Sequence, residues 1–174
     1  ASDVYKRQHQ APDFRLEAIS DGDEETGTCL MQGETIGVFQ CESEGAQRTL
    51  RQLQAQSVQD LAIANAFFKP GPATGGMARA FIRRYRGEEP VSLLHPTLGE
   101  ILGPTQGILL FQEQVLRVAR EVAGLSWKQA DGLRRGMSKM RPQAMSGLQE
   151  RFVAGCQRAG PEGPEMNEEQ AQQL

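Results

Sequence analysis

One segment decides how this chain folds around its most charged region: residues 126–139 read SWKQADGLRRGMSK. Ser126 and Gln129 have the three-residue spacing of a capping box, which predicts that a helix begins at this point. Arg134 and Arg135 are adjacent on that helix, so two guanidinium groups leave it close together. Because each guanidinium group offers a planar fork of donors, the pair suits a multiply charged phosphate.

One outward face of the same helix is predicted to carry charge along its length. Four residues recur there at spacings of three, four and four: Lys128, Asp131, Arg135 and Lys139. The opposite face is expected to bury three apolar residues: Ala130, Leu133 and Met137. Arg134 lies at the edge of the charged face, and Lys139 adds a compact point charge one turn further on. The same cations also fit an ordinary solvated surface, and both interpretations stay open at this point.

The charge distribution along the chain favours a local anion-binding region. The 174 residues have a formal net charge of −3. Residues 1–68 carry a net charge of −6, residues 69–141 carry +6 and residues 142–174 carry −3. A basic middle between acidic flanks is typical of a polyanion site, although an unevenly charged solvated surface has the same pattern.

Several kinds of site and location are not supported by the sequence. No run of about 18 apolar residues and no signal-peptide pattern occurs, so we expect no membrane association and a cytoplasmic location. Cys29, Cys41 and Cys156 are far apart, which favours reduced thiols. The only histidines, His9 and His95, have no partner at metal-ligand spacing, and neither a P-loop nor a GxSxG motif is present. The sequence therefore indicates phosphate-binding chemistry without a metal or catalytic centre of its own.

The hydrophobic periodicity predicts a mainly α fold. At most one or two short strands are expected, near residues 35–40 and 107–111. Helices are predicted at residues 24–32, 42–54, 57–67, 77–86, 94–102, 112–123, 126–139, 142–153 and 167–174. Gly33 and Gly124 are expected to end two of these helices. Residues 1–11 lack any apolar period and are expected to be a non-native or disordered leader, and the last helix has no stop signal, so we expect a fragment of a longer protein.

Two further stretches place polar residues beside rigid or buried elements. Lys69 lies between an apolar helix end and a stiff Pro-Gly-Pro turn, and a cation on a rigid loop loses less entropy on binding. Gln112, Glu113 and Gln114 follow the apolar run 107–111 directly. They are either structural caps or groups that face a polar ligand.

Four motifs occur in a fixed order and identify a family. They read GVFQCES at residues 37–43, FKPGP at 68–72, GILLFQEQV at 107–115 and ADGLRRGMSK at 130–139. Together they resemble the bacterial C-family DNA polymerases, which comprise the replicative DNA polymerase III alpha subunit and its error-prone relatives. The resemblance extends from about residue 12 to residue 174. It implies an irregular helical fingers domain, with residues 12–43 at the end of the palm and the palm–fingers connection, and residues 44–174 in the first part of the fingers.

The resemblance also implies roles for individual residues. The catalytic aspartates and the two Mg²⁺ ions of the family would lie in a palm before residue 1, so none is assigned here. Arg134 and Arg135 would contact the triphosphate of the incoming dNTP, with Lys139 and Lys69 nearby. Contacts to the phosphates of the template-primer DNA would come from five basic residues: Arg79, Arg83, Arg84, Arg86 and Lys128. Other replisome subunits, such as a sliding clamp, would bind through regions outside this chain.

Two other classes of function remain as alternatives to a polymerase segment. The basic middle region also fits a helical nucleic-acid-binding module with no catalytic link, which would bind DNA in a salt-sensitive way. A helical protein-interaction domain would instead expose an apolar patch where the polymerase interpretation expects a basic face.

Overall fold

The computed structural model describes residues 13, 15–20, 22–68, 76–139, 142–159 and 163–174. The chain divides into two compact units, Ala1–Pro70 and Gly71–Leu174. Every regular element in the described residues is helical, which confirms the predicted mainly α class. No helix in this part of the chain is long and apolar enough to cross a lipid bilayer.

The described residues of the first unit include three α-helices. They are α1 (Glu24–Gln32), α2 (Glu44–Leu53) and α3 (Val58–Phe68), preceded by a 3₁₀ turn at Leu16–Ala18. The Ser57 hydroxyl accepts from the Asp60 N–H, and the Asp60 carboxylate accepts from the Ser57 N–H, so a capping box begins α3 close to its predicted start at residue 57. Gly33 ends α1 at φ 69°, as predicted, because this left-handed conformation suits a residue without a side chain.

Residues 35–40 form turns and no strand. The Thr35 hydroxyl donates to the Cys41 carbonyl at 2.7 Å, and the Thr35 carbonyl accepts from the Val38 N–H at 3.1 Å. The Cys41 N–H donates to the Val38 carbonyl at 2.9 Å. These local hydrogen bonds use backbone groups that a strand would need for pairing, so residues 35–40 form turns.

Six α-helices lie in the part of the second unit that the structure describes. They are α4 (Gly76–Tyr85), α5 (Gly99–Leu102), α6 (Gln112–Arg117), α7 (Trp127–Lys139), α8 (Pro142–Cys156) and α9 (Glu168–Gln173). Short 3₁₀ turns flank α5 at Pro96–Leu98 and Gly103–Thr105. The core of this unit is built from buried residues that include Leu98, Leu102, Val118, Leu125, Leu133 and Cys156.

The helix predicted for residues 112–123 changes from α-helical to π-helical winding at Val118. Val118–Val122 form a π-helical turn after α6, in which the Ala123 N–H donates to the Val118 carbonyl at 3.0 Å. Val118, Ala119 and Val122 are all buried in this wider turn. Gly124 then ends the segment at φ 67°, as predicted.

A buried glutamine organises the loop before α6. The side-chain oxygen of Gln114 accepts from the backbone N–H groups of Leu110 and Phe111 at 2.8 and 2.9 Å. Its amide nitrogen donates to the Ile101 carbonyl at 3.0 Å and to the Thr105 hydroxyl at 2.6 Å. Residues 107–111 therefore form a loop held by side-chain hydrogen bonds, and not the short strand that their apolar run suggested.

The thiols lie in the interior or near it. Cys41 and Cys156 are buried, Cys29 is partly buried, and all three are free. Burial raises the pKa of the Cys156 thiol to about 11, so this group stays protonated at neutral pH.

The backbone of α8 lies against the end of the π-helical segment at one glycine. A Cβ atom added at Gly155 would overlap the carbonyl oxygen of Ala123, whereas one added at Gly147 on the same helix would meet nothing within 4 Å. Gly155 is thus required by close packing and not by backbone conformation.

We expect Gly155→Ala to destabilise the protein by about 1–3 kcal/mol, because the overlap outweighs the helix propensity of alanine. The matched control Gly147→Ala should instead stabilise it by up to about 1 kcal/mol. Urea denaturation followed by circular dichroism measures both values. Equal effects at the two positions would contradict the close contact.

We also expect Gln114→Leu to lower the free energy of unfolding by about 3 kcal/mol, since it leaves several buried backbone groups without hydrogen-bond partners. The same replacement at the exposed neighbour Glu113 should cost less than about 1 kcal/mol. Thermal denaturation of the two variants compares them directly. A Gln114→Leu variant as stable as the parent chain would rule out this structural role.

Candidate functional site

The helix that carries the adjacent arginines begins as the sequence predicted. The side-chain oxygen of Gln129 accepts from the Ser126 N–H at 2.8 Å, and the Ser126 hydroxyl accepts from the Gln129 N–H at 3.3 Å. Ala130 and Leu133 are buried on the inner face, as expected. Met137 is 49% exposed, so its predicted burial is wrong, and among the described side chains the inner face of α7 is buried as far as Leu133.

Arg134 is held on two sides. Its Nε and Nη2 atoms donate to Oδ1 of Asp131 at 3.1 and 2.8 Å. Its Nη1 atom donates to the side-chain oxygen of Gln112 at 3.1 Å. The side chain of Arg134 remains 25% exposed, so the guanidinium group is oriented but still reachable from solvent.

Arg135 shares the same carboxylate and is more accessible. Its Nη2 atom lies 2.7 Å from Oδ2 of Asp131, and its side chain is 67% exposed. The hydrogen bond from Arg134 lowers the pKa of Asp131, with a further lowering contribution from Arg135. Among the described residues of this cluster, two guanidinium charges therefore face one carboxylate, and the sum of these three charges is positive.

Gln112, Glu113 and Gln114 separate into different roles. Gln112 and Glu113 are exposed at the start of α6, whereas Gln114 is buried in the network described above. Gln114 is thus a structural cap, and Gln112 reaches α7. The sequence left both roles open for all three, because it does not show which residue of the run turns inward.

The basic residues of α4 differ in how far they are engaged. Arg84 is only 17% exposed, and it donates to Glu89 at 3.2 Å and to the carbonyl of Gln106 at 3.0 Å. Arg83 also pairs with Glu89, at 2.6 Å, and these arginines lower the pKa of Glu89, Arg84 more strongly than Arg83. Arg86 pairs with Glu88 at 3.1 Å.

Two further cations on the predicted list are exposed. Arg79 is exposed on α4 and makes no ion pair with any residue that the structure describes. Lys128 is exposed in the first turn of α7. Next to Lys128, the ring of Trp127 is exposed and lies 5.9 Å from the guanidinium carbon of Arg120, a contact that the sequence did not indicate.

Lys69 and Lys139 were also predicted to lie near the arginines of α7. Lys69 lies outside the described residues, and so does the side chain of Lys139, although its backbone ends α7. The structure thus brings together Arg134, Arg135, Asp131 and Gln112. The pairing role of Asp131 was missed in the sequence, although its position three and four residues before the arginines could have revealed it.

The described residues were also compared with the requirements of a metal site and of a binding groove. Within the described ranges, no three His, Cys, Asp or Glu side chains come close enough together to hold a metal ion. An open groove of about 520 Å³ is lined by residues of α8 and α9, including Gln149, Val153 and Gln172, and by none of the arginines of α7. In the described part of the chain the candidate site is an exposed charged surface, since the Arg135 side chain is 67% exposed.

Comparison with known proteins gives the family. A family model described as the bacterial DNA polymerase III alpha subunit finger domain matches residues 2–160. The error-prone DNA polymerase of Nocardia farcinica is 39% identical over 150 residues, covering 86% of this chain and 13% of that protein. The DNA polymerase III subunit alpha of Borreliella burgdorferi is 38% identical over 145 residues, covering 83% of this chain and 12% of the relative.

Both branches of the family are represented among the relatives. The DNA polymerase III subunit alpha of Vibrio cholerae is 38% identical over 157 residues, covering 87% of this chain and 14% of that protein. This chain thus spans about an eighth of the length of these curated relatives. The resemblance inferred from the four motifs is confirmed, and the chain belongs to the family of bacterial DNA polymerase III alpha subunit finger domains.

Proposed function

We propose that this chain is the part of a DNA-directed DNA polymerase that binds the triphosphate of the incoming dNTP. The observation that carries the proposal is the pair of neighbouring guanidinium groups on α7, both accessible to solvent and both oriented by Asp131. A surface with two convergent forks of donors matches the geometry of phosphate oxygens. Membership of the finger-domain family supports the same assignment.

The contribution of these residues to nucleotidyl transfer is electrostatic. Charge develops on the leaving pyrophosphate, and donors already in place stabilise it without reorganisation. Arg134 is fixed by two partners and so orients the phosphate chain, whereas Arg135 is more exposed and neutralises it. Lys139 and Lys69 add positive charge in this proposal.

The catalytic chemistry itself is assigned to other parts of the polymerase. The family implies Mg²⁺ ions, and the described residues include no cluster that fits them. We therefore place their ligands outside these residues and expect the isolated chain to be inactive. Residues 12–43 are assigned to the end of the palm and the connection to the fingers, and residues 44–174 to the fingers themselves.

The DNA partners of the proposed enzyme are recognised through phosphates. Arg79 and Lys128 are exposed, and Arg83 and Arg86 are exposed but paired with acidic neighbours. Arg84 instead ties α4 to the loop at Gln106, which favours a structural role. The primed template is bound without sequence readout. Other replisome subunits, such as a sliding clamp, contact regions outside this chain. The proposed location of the enzyme is the cytoplasm.

Replacing either arginine in the full-length polymerase tests the proposal. We expect Arg134→Ala and Arg135→Ala each to raise the KM for dNTP, or to lower kcat/KM, by about tenfold or more, because each removes charge-assisted hydrogen bonds. Steady-state primer extension measures both parameters. Arg117→Ala is the matched control. Arg117 is partly exposed and pairs with Glu121, four residues further along the same helical segment, so the kinetics of this variant should stay unchanged. Wild-type kinetics in both α7 variants would refute the assignment.

The salt dependence of DNA binding separates phosphate contacts from structural arginines. We expect Arg79→Ala and Lys128→Ala each to reduce the slope of log affinity against log salt by about 1, because each removes one phosphate contact. Arg84→Ala should leave the slope unchanged and lower the melting temperature instead. Fluorescence anisotropy with a primed template at several salt concentrations provides the slopes. An unchanged slope for the first two variants would exclude them from the DNA-binding surface.

A further inference from the structure

The carboxylate of Asp131 is divided between the two arginines. Oδ1 accepts from Arg134 and Oδ2 accepts from Arg135, so each oxygen serves a different guanidinium group. The carboxylate is partly exposed, and it lies on the same helix as both partners. One acidic residue thus occupies donors of both groups that the proposed function assigns to the triphosphate.

The two arginines depend on Asp131 to different degrees. Arg134 has a second, neutral partner in the amide oxygen of Gln112, which lies on a different helix. The described ion pair of Arg135 is with Asp131, and most of the Arg135 side chain is exposed. Loss of the carboxylate would therefore leave Arg134 held from α6 and would release Arg135.

We propose that Asp131 competes with a bound polyphosphate for Arg135 and that Gln112 is a positioning residue for Arg134. Without nucleotide, Asp131 neutralises one of the two guanidinium charges. A polyphosphate replaces it on Arg135, while Gln112 keeps Arg134 in its orientation. This inference rests on the proposed function, because it describes how the same site is regulated.

The exchange follows from the strengths of the competing interactions. Carboxylate and phosphate are the same kind of acceptor for a guanidinium group, so they compete for the same donors. A partly exposed ion pair within one helix is weak, and a polyphosphate carries several charges, so the ligand displaces the carboxylate. Removing the competitor should therefore tighten polyphosphate binding, whereas removing the positioning residue should weaken it.

Inorganic tripolyphosphate is the probe that reports on this site without base pairing. Its inhibition constant against dNTP is measured by primer extension with the full-length polymerase at constant free magnesium. We expect Asp131→Asn to lower this constant by about three- to fivefold, the range of one weak ion pair. Gln112→Ala should raise it by about threefold or more, and so shift the constant in the opposite direction.

Matched variants separate local competition from a general change in charge. Glu121→Gln removes one negative charge from a similarly exposed ion pair with Arg117 and should leave the inhibition constant unchanged. In the Arg135→Ala background, Asp131→Asn should lose most of its effect, because the competed guanidinium group is gone. Melting temperatures of all variants show whether they remain folded.

The outcomes distinguish this inference from the proposed function. If Asp131→Asn leaves inhibition unchanged or weakens it, while Arg134→Ala and Arg135→Ala weaken it, Asp131 is not a competitor and the site assignment stands. If neither arginine variant changes the inhibition constant, the proposed triphosphate site fails and this inference fails with it. An equal gain from Glu121→Gln would also overturn the inference, because the effect would then be a general one of charge.

Discussion

The buried side chain of Gln114 is the constraint on which the second unit of this protein depends. Its four hydrogen bonds connect α5, the 3₁₀ turn at Thr105 and the loop that leads into α6. A buried amide is tolerated because every one of these groups finds a partner. Since Gln112 lies two residues earlier on the same turn, the network also determines where α6 presents an acceptor to Arg134.

A π-helical turn and a close contact between two backbones allow the core to pack around this arrangement. The π-helical turn at Val118–Val122 buries three apolar side chains within five residues. Gly155 then lets the backbone of α8 approach the carbonyl of Ala123. Together they bring α6, α7 and α8 around one hydrophobic cluster, and the charged face of α7 remains on the outside.

The arginines of this unit differ in solvent exposure according to their hydrogen-bond and ion-pair partners. Arg84 is directed inward by Glu89 and by the Gln106 carbonyl, whereas the ion pair described for Arg135 is with the shared carboxylate of Asp131 and its side chain stays mostly exposed. A finger domain of this family needs cations of the second kind if it is to bind phosphates, and the shared carboxylate of Asp131 keeps them oriented without burying them. In the proposed function, an open, charged surface suits a triphosphate whose other contacts come from other parts of the polymerase.

The sequence by itself determined the family, the helical class and most helix ends. Capping residues such as Ser57, Ser126 and Gly33 act on backbone groups within a few residues, so short motifs were sufficient to place them. The adjacent arginines were likewise visible as a local pattern. Tertiary structure alone decided that Gln114 turns inward, that Gln112 reaches Arg134 across 22 residues, and that Arg84 donates to the Gln106 carbonyl. The physical reason is that a polar side chain has several possible partners, and only the packing of distant segments determines which of them lies within hydrogen-bonding distance.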